Sequence, residues 1–273
     1  MANPASIFER LHGALITSLI ACRMRPDRKP VHSLRTAVRR IEALLFAIRD
    51  DHPHAATLQH SVQKALYTLQ SVRRAAGPVR DLDVQRGLIE TIAQCPGYTK
   101  AEEERRKLKT ECGELDRHLR RRRKKLAKGL ASTAKEFEPT MEEALESAGC
   151  QLKQLEEKPY LATARRLAAK SSMELKEIKR GSLHRYRKQI KAARYLAEMD
   201  NTSIPAKRVA QRLKKTLDSI GRWHDWMLLG QEARLAFGKH SVLAKVLRTE
   251  GNHAWTLAVR SVENLRKSLP KIG

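Results

Sequence analysis

The chain has 273 residues, with 55 Lys and Arg against 30 Asp and Glu, a formal net charge of +25 and a pI near 10.4. Apolar residues make up 41% and aromatics only 4%; a core built mostly from Ala, Leu, Val and Ile favours helices packed on helices and disfavours a β-sandwich. Cys22, Cys95, Cys112 and Cys150 lie far apart with no C-x-x-C pair, which excludes a cysteine zinc signature and a disulfide framework and suits a reducing compartment.

Apolar residues recur with the helical period almost throughout. A first helix is predicted from about Ser6 to Met24. Its most apolar run, Ala14 to Cys22, is too short to span a bilayer and reads as a core helix. The residues before it lack the basic and apolar regions of a signal peptide, so a cytoplasmic protein with no membrane partner is expected. Arg25-Pro26-Asp27 ends this helix, and Pro30 suits the first position of a second that runs to about Arg49. A third spans about Ala55 to Ala76 and stops at Gly77-Pro78; a fourth runs from Val79 to Gln94, closed by Pro96-Gly97. A long charged helix follows from about Lys100 to Leu130. It carries the densest basic block, eight Lys and Arg in the twelve residues Arg117 to Lys128. That block winds around the helix, so only part of it can face one groove.

Residues 132–158 form an acidic linking segment, with breaks expected at Pro139, Gly149 and Pro159 or a helix joining the two halves. It joins an N-terminal half, about 6–131, to a C-terminal half, about 159–269, within a single domain of residues 1–273. The second half reads as helices from about Tyr160 to Lys179, Leu183 to Met199, Pro205 to Ile220, His224 to Phe237 and His240 to Leu269, with Ser182 as an N-cap.

Two stretches repeat. Val31-His32-Ser33-Leu34-Arg35-Thr36-Ala37-Val38-Arg39-Arg40 and Leu183-His184-Arg185-Tyr186-Arg187-Lys188-Gln189-Ile190-Lys191 both place Arg three residues and a base seven residues after the His. Each is followed by a helix and then a glycine, in Gly77-Pro78-Val79-Arg80-Asp81 and Gly221-Arg222-Trp223-His224-Asp225. Positions three and seven fall within roughly 60° of the His on a helical wheel. So His32, Arg35 and Arg39, flanked by Arg40, form one cationic stripe, and His184, Arg187, Lys191 and Arg194 form another. Leu34, Val38 and Ile41, and Tyr186, Ile190 and Ala193, turn toward a core. An ordinary solvated basic face explains one such helix well. It does not explain matched offsets in two.

With these motifs in view, the sequence resembles the CHAD family, the conserved histidine α-helical domains. The pattern V-H-x-x-R-x-x-x-R-R, then G-x-x-R-D-L-D-V, then L-H-x-x-R-x-x-x-K-x-x-R-Y and G-x-x-H-D carries the resemblance over about Ser6 to Leu269. It implies an all-α fold of two pseudo-symmetric antiparallel four-helix bundles with a basic cleft or pore between them. It also implies binding of inorganic polyphosphate with no catalysis, no cofactor and no metal. Two positions depart from the pattern. Glu42 stands where the second copy has Arg194, and Trp226-Met227 replaces the usual Leu-Asp.

The candidate polyphosphate-binding residues on the N-terminal half are His32, Arg35, Arg39, Arg40, Arg73 and Arg80. Their counterparts are His184, Arg187, Lys188, Lys191, Arg194, Lys214 and His224. Asp81 and Asp225 are expected to orient neighbouring cations, or equally to cap helices after the glycines. Polyphosphate has no base edges and needs many donors along a track. Arg offers a planar fork, Lys a point charge, and His a charge that phosphates would favour. Free amides at the N-termini near His32 and His184 are expected to add to this.

Nucleic acid is the main rival, because a +25 helical protein binds it nonspecifically. No zinc-finger, RNP or KH signature is present, and aromatics for base stacking are few. A metal phosphohydrolase would need more ligands than His184, His224 and Asp225. Glu136-Phe137-Glu138-Pro139-Thr140 lacks the Lys of a triphosphate-tunnel strand, and there is no Walker loop. His52, His54 and His60 read as solvated loop residues. Association with polyphosphate granules and with a polyphosphate-metabolising enzyme are the expected settings.

Overall fold

A computed structural model describes residues 3–200 and 203–269. Among them there is no strand, and eight α-helices carry the fold: α1 (Pro4–Met24), α2 (Arg28–Asp51), α3 (Ala56–Gln94), α4 (Glu102–Leu152), α5 (Tyr160–Glu174), α6 (Arg180–Met199), α7 (Ile204–Phe237) and α8 (Val242–Ser268). Consecutive helices pack as antiparallel neighbours within each half, and α2 and α3 meet α6 and α7 across the middle. The all-α expectation holds.

Four predicted breaks are absent. Gly77-Pro78 lies inside α3, Pro139 and Gly149 inside α4 and Gly221 inside α7. Pro78 and Pro139 are both exposed, so the carbonyl each deprives of its helical donor faces water. Val72, Ala76, Val79 and Leu82 are buried on either side of Pro78, and that packing outweighs the local breaking tendency. The linking segment is helical over most of its length: its residues through Leu152 belong to α4, where Met141, Ala144, Leu145, Ala148 and Leu152 are fully buried.

Two cores result, and neither stops at the expected boundary between halves. One joins α1, α2, the first half of α3 and the second half of α4 with Tyr160, Leu196 and Met199. The other joins α7, α8 and most of α6 with Leu82, Ile89 and Ile92 of α3 and Leu108, Leu115 and Leu119 of α4. The long hairpin of α3 and α4 therefore serves both cores.

Helix starts also differ from expectation. Arg28, not Pro30, opens α2, and Pro30 still falls in the first turn, where its missing N–H costs nothing. α6 begins at Arg180, and Ser182 is its third residue, whose Oγ accepts from Lys179 N at 2.9 Å. His32 and His184 are each the fifth residue of their helix, beyond the free first-turn amides. Helix α1 is long and apolar enough to cross a membrane by length and composition. Its residues Ile7, Phe8, Leu11, Leu15 and Leu19 are buried in the first core.

Candidate functional site

The repeat has a three-dimensional counterpart at the glycines. A Cβ on Gly77 of α3 would stand 3.1 Å from Nη1 of Arg35 on α2. A Cβ on Gly221 of α7 would stand 3.6 Å from Nη2 of Arg187 on α6. What reads as punctuation is a bare helix surface on which a guanidinium lies. The next turn of each partner helix carries the acid. Asp81 is 3.5 Å from Arg35 Nη1; Asp225 acts most strongly on Arg187 but forms no ion pair with it. Asp81 thus stands within ion-pair reach of Arg35. The capping alternative fails for both, because they lie inside continuous helices.

Where α2, α3, α6 and α7 converge, they enclose a cleft of about 660 Å³. Of the expected residues, His32, Arg35, Arg40, Arg80, Asp81, Arg187, Lys191, Arg194, Lys214 and Asp225 line it. Five do not: Arg39, Arg73, His184, Lys188 and His224. His184 and His224 pair instead, with ring centroids 5.5 Å apart. Both feel the charge of Arg187, so they adjoin the cleft. Arg39 and Arg73 are drawn to Glu42, which accepts from Arg73 Nε at 2.7 Å and lies 3.7 Å from Arg39 Nη1. Glu42 is 6% exposed. The departure noted in the sequence therefore draws two of the expected ligands to one carboxylate and offsets one of their two charges.

Thr36, Glu198, Asp218 and Arg222 also line the cleft, beside Tyr195. Glu198 was legible, since it extends the stripe of His184, Arg187, Lys191 and Arg194 by four. It lies 3.2 Å from Arg40 and 3.0 Å from Arg194. Tyr195 is buried, with the Arg194 guanidinium 4.6 Å from its ring centroid. Arg222 follows Gly221, and only the continuity of α7 carries it to the same mouth. Lys214 is 2.8 Å from Asp218 on its own helix.

Nine Lys, Arg and His against four carboxylates line the cleft, and this shapes its titration. Burial, together with Arg187, Arg35, Arg39 and Arg194, holds the Lys191 ammonium down to about 7. His32 is lowered by burial and by Arg80, Lys191, Arg35 and Arg28. His184 and His224 are lowered by burial and nearby cations. Asp225 is pushed up to about 6 by burial, against the pull of Arg187. Among the described residues the buried Nε groups of Arg39 and Arg187 have no partner, and a buried donor without one costs about 1–3 kcal/mol. An anion in the cleft would relieve the repulsion and return lost charge to Lys191. Among the described residues, no three His, Cys, Asp or Glu are placed to hold a metal ion.

The fold and this site define a class: an all-helical protein with a cation-lined cleft where α2, α3, α6 and α7 meet. The chain belongs to the CHAD family, matching the CHAD domain over residues 9–234. It is similar in structure to the CHAD domain from the plant Ricinus communis, with a TM-score of 0.62 over 100% of this chain and 93% of that one. The identity is 16%, so that likeness concerns the fold alone. No curated protein matches the chain.

Proposed function

We propose that the protein is a non-catalytic binder of inorganic polyphosphate, which it holds in the cleft between α2, α3, α6 and α7. The observation that carries this is the convergence of Arg35, Arg80, Arg187, Lys191 and His32 where acids are too few to balance them. A chain of phosphates fits such a site because each unit brings charge and acceptors with no further chemistry to recognise. Membership of the CHAD family supports the same ligand, by the resemblance set out above. The protein then works in the cytoplasm, at polyphosphate granules or beside an enzyme that makes or consumes the polymer.

Nucleic acid is the second reading, favoured by the net charge. Against it, Tyr195 is the one Phe, Tyr or Trp lining the cleft among the described residues, and it is buried with the Arg194 guanidinium over its ring, which leaves little for base stacking.

The test is a titration of polyphosphate, in competition with duplex DNA at fixed salt, on wild type and on the Arg35→Gln, Arg187→Gln double variant. Polyphosphate should displace DNA. The variant should lose at least about a hundredfold in affinity, at about 1.5–3 kcal/mol for each of the two charged groups. Unchanged affinity removes the cleft from the mechanism; a win for DNA replaces the ligand. Release of orthophosphate on adding a divalent cation would overturn the non-catalytic reading.

A further inference from the structure

Resting on the reading of the first cleft as a polyphosphate site, we propose that a second cleft along α4 continues it, so that long chains occupy both. This second cleft, of about 1110 Å³, lies between the α1–α2 turn, the second half of α3 and one face of α4. It gives the basic block a role on one side only. Lys109, Arg120, Lys124 and Lys128 line it, and their spacing of eleven, four and four keeps them on one face of the helix. They extend over about 28 Å of α4.

The charges in this cleft sort into two groups. Its acids are mostly spent on structure. Asp83 accepts from Arg123 Nε at 2.9 Å, Asp116 from Arg86 Nε at 2.7 Å, and Asp27 lies 2.8 Å from Arg25 Nε. Glu90 alone lines the cleft without an ion pair. Arg28, Lys109, Arg120, Lys124 and Lys128 have none either, among the described residues. Five unpaired cations thus face one unpaired acid. Among the described residues no aromatic side chain lines the cleft, so it offers a polyanion charge and no shelf for a base.

Arg28 makes the connection. Its guanidinium lies against Gly87 of α3, 3.4 Å from where a Cβ would stand. Its charge lowers both His32 and Arg80, which line the first cleft. A chain leaving past His32 and Arg80 meets Arg28 next, and then the face of α4. A phosphate chain too short to pass Arg28 gains nothing from it.

The same block supplies its own control. Arg117, Arg121 and Lys125 are exposed but lie outside the cleft lining. Two variants of equal charge can therefore be compared: Arg120→Gln, Lys124→Gln, Lys128→Gln, and Arg117→Gln, Arg121→Gln, Lys125→Gln. All six side chains are exposed, and circular dichroism confirms the fold. Affinity for tripolyphosphate and for long-chain polyphosphate is measured on each, over a range of salt. For the cleft variant, long-chain affinity should fall about tenfold or more, with the salt slope shallower by about two, while tripolyphosphate affinity is unchanged. The control variant should keep wild-type preference for the long chain. Equal losses in both variants would reduce the effect to net charge and overturn the second cleft, leaving the first intact. Failure of the wild type to bind either polyphosphate overturns the ligand reading itself, and this inference with it.

Discussion

At the scale of the residue, Glu42 decides how much of the N-terminal stripe is free to meet a ligand. It is buried, and it holds Arg73 while standing near Arg39. Its carboxyl is pushed up by burial and pulled down by those two arginines. Replacing it with Gln leaves the hydrogen-bonding shape but removes the charge. Stability should fall by about 3 kcal/mol, the low end for a broken buried pair because both arginines are about a quarter exposed. Polyphosphate affinity should rise, with a steeper salt dependence, because two cations are released. Denaturant melts and salt-dependent titrations check the two halves separately. A loss of stability without any gain in binding would mean that Arg39 and Arg73 do not reach the ligand.

At the scale of the element, α3 and α7 are continuous helices that carry a glycine under an arginine. Glycine inside a helix costs about 1 kcal/mol relative to alanine, so alanine should stabilise each helix unless its methyl group meets something. At Gly221 the approach is 3.6 Å, an ordinary contact, whereas at Gly77 it is 3.1 Å. Gly221→Ala should raise stability by up to about 1 kcal/mol and leave binding unchanged. Gly77→Ala should gain less and weaken polyphosphate binding several-fold, because Arg35 must move from its place beside Asp81. Melting temperatures and titrations of the two variants decide this; identical behaviour would show that the glycines do not position the arginines. The exposed prolines of α3 and α4 illustrate a related point. A Gly-Pro pair reads as a stop in sequence, but a proline on the solvent face costs one hydrogen bond while its neighbours keep their core contacts.

At the scale of the whole molecule, the positive charge is concentrated where it makes protonation and binding the same event. Lys191 is held near 7, against 10.5 when unperturbed, so between those values the unfolded chain binds the extra proton. Stability of the free protein should therefore rise as pH increases from about 7 toward 10. The lowered histidines, His12, His32, His184 and His224, add the same sign just below their ordinary value. Asp225 opposes it lower down, since its raised value makes the folded state the better proton binder between 3.8 and about 6. Polyphosphate favours every protonated cation, so affinity should fall, roughly tenfold, as pH rises from 6 to 8.5 and Lys191 loses its charge. Thermal melts across pH, with and without polyphosphate, should show the free protein gaining stability while the ligand's contribution shrinks. A flat profile in both would remove Lys191 from the site.

The sequence by itself determined the helical class, the family and the two stripes, because the helical period puts His, Arg and Lys on one face whatever packs on the other. It also exposed the repeat, since offsets from a His survive any error in helix boundaries. Only the tertiary structure decided which of those cations stay unpaired. Glu42 reaches Arg73, Glu198 reaches Arg40 and Asp81 reaches Arg35 across helices, and no spacing along the chain records those three pairs. The tertiary structure likewise turned two apparent breaks into seats for Arg35 and Arg187. Burial of the flanking side chains is a property of the assembled core, and it outweighs what Gly and Pro prefer alone.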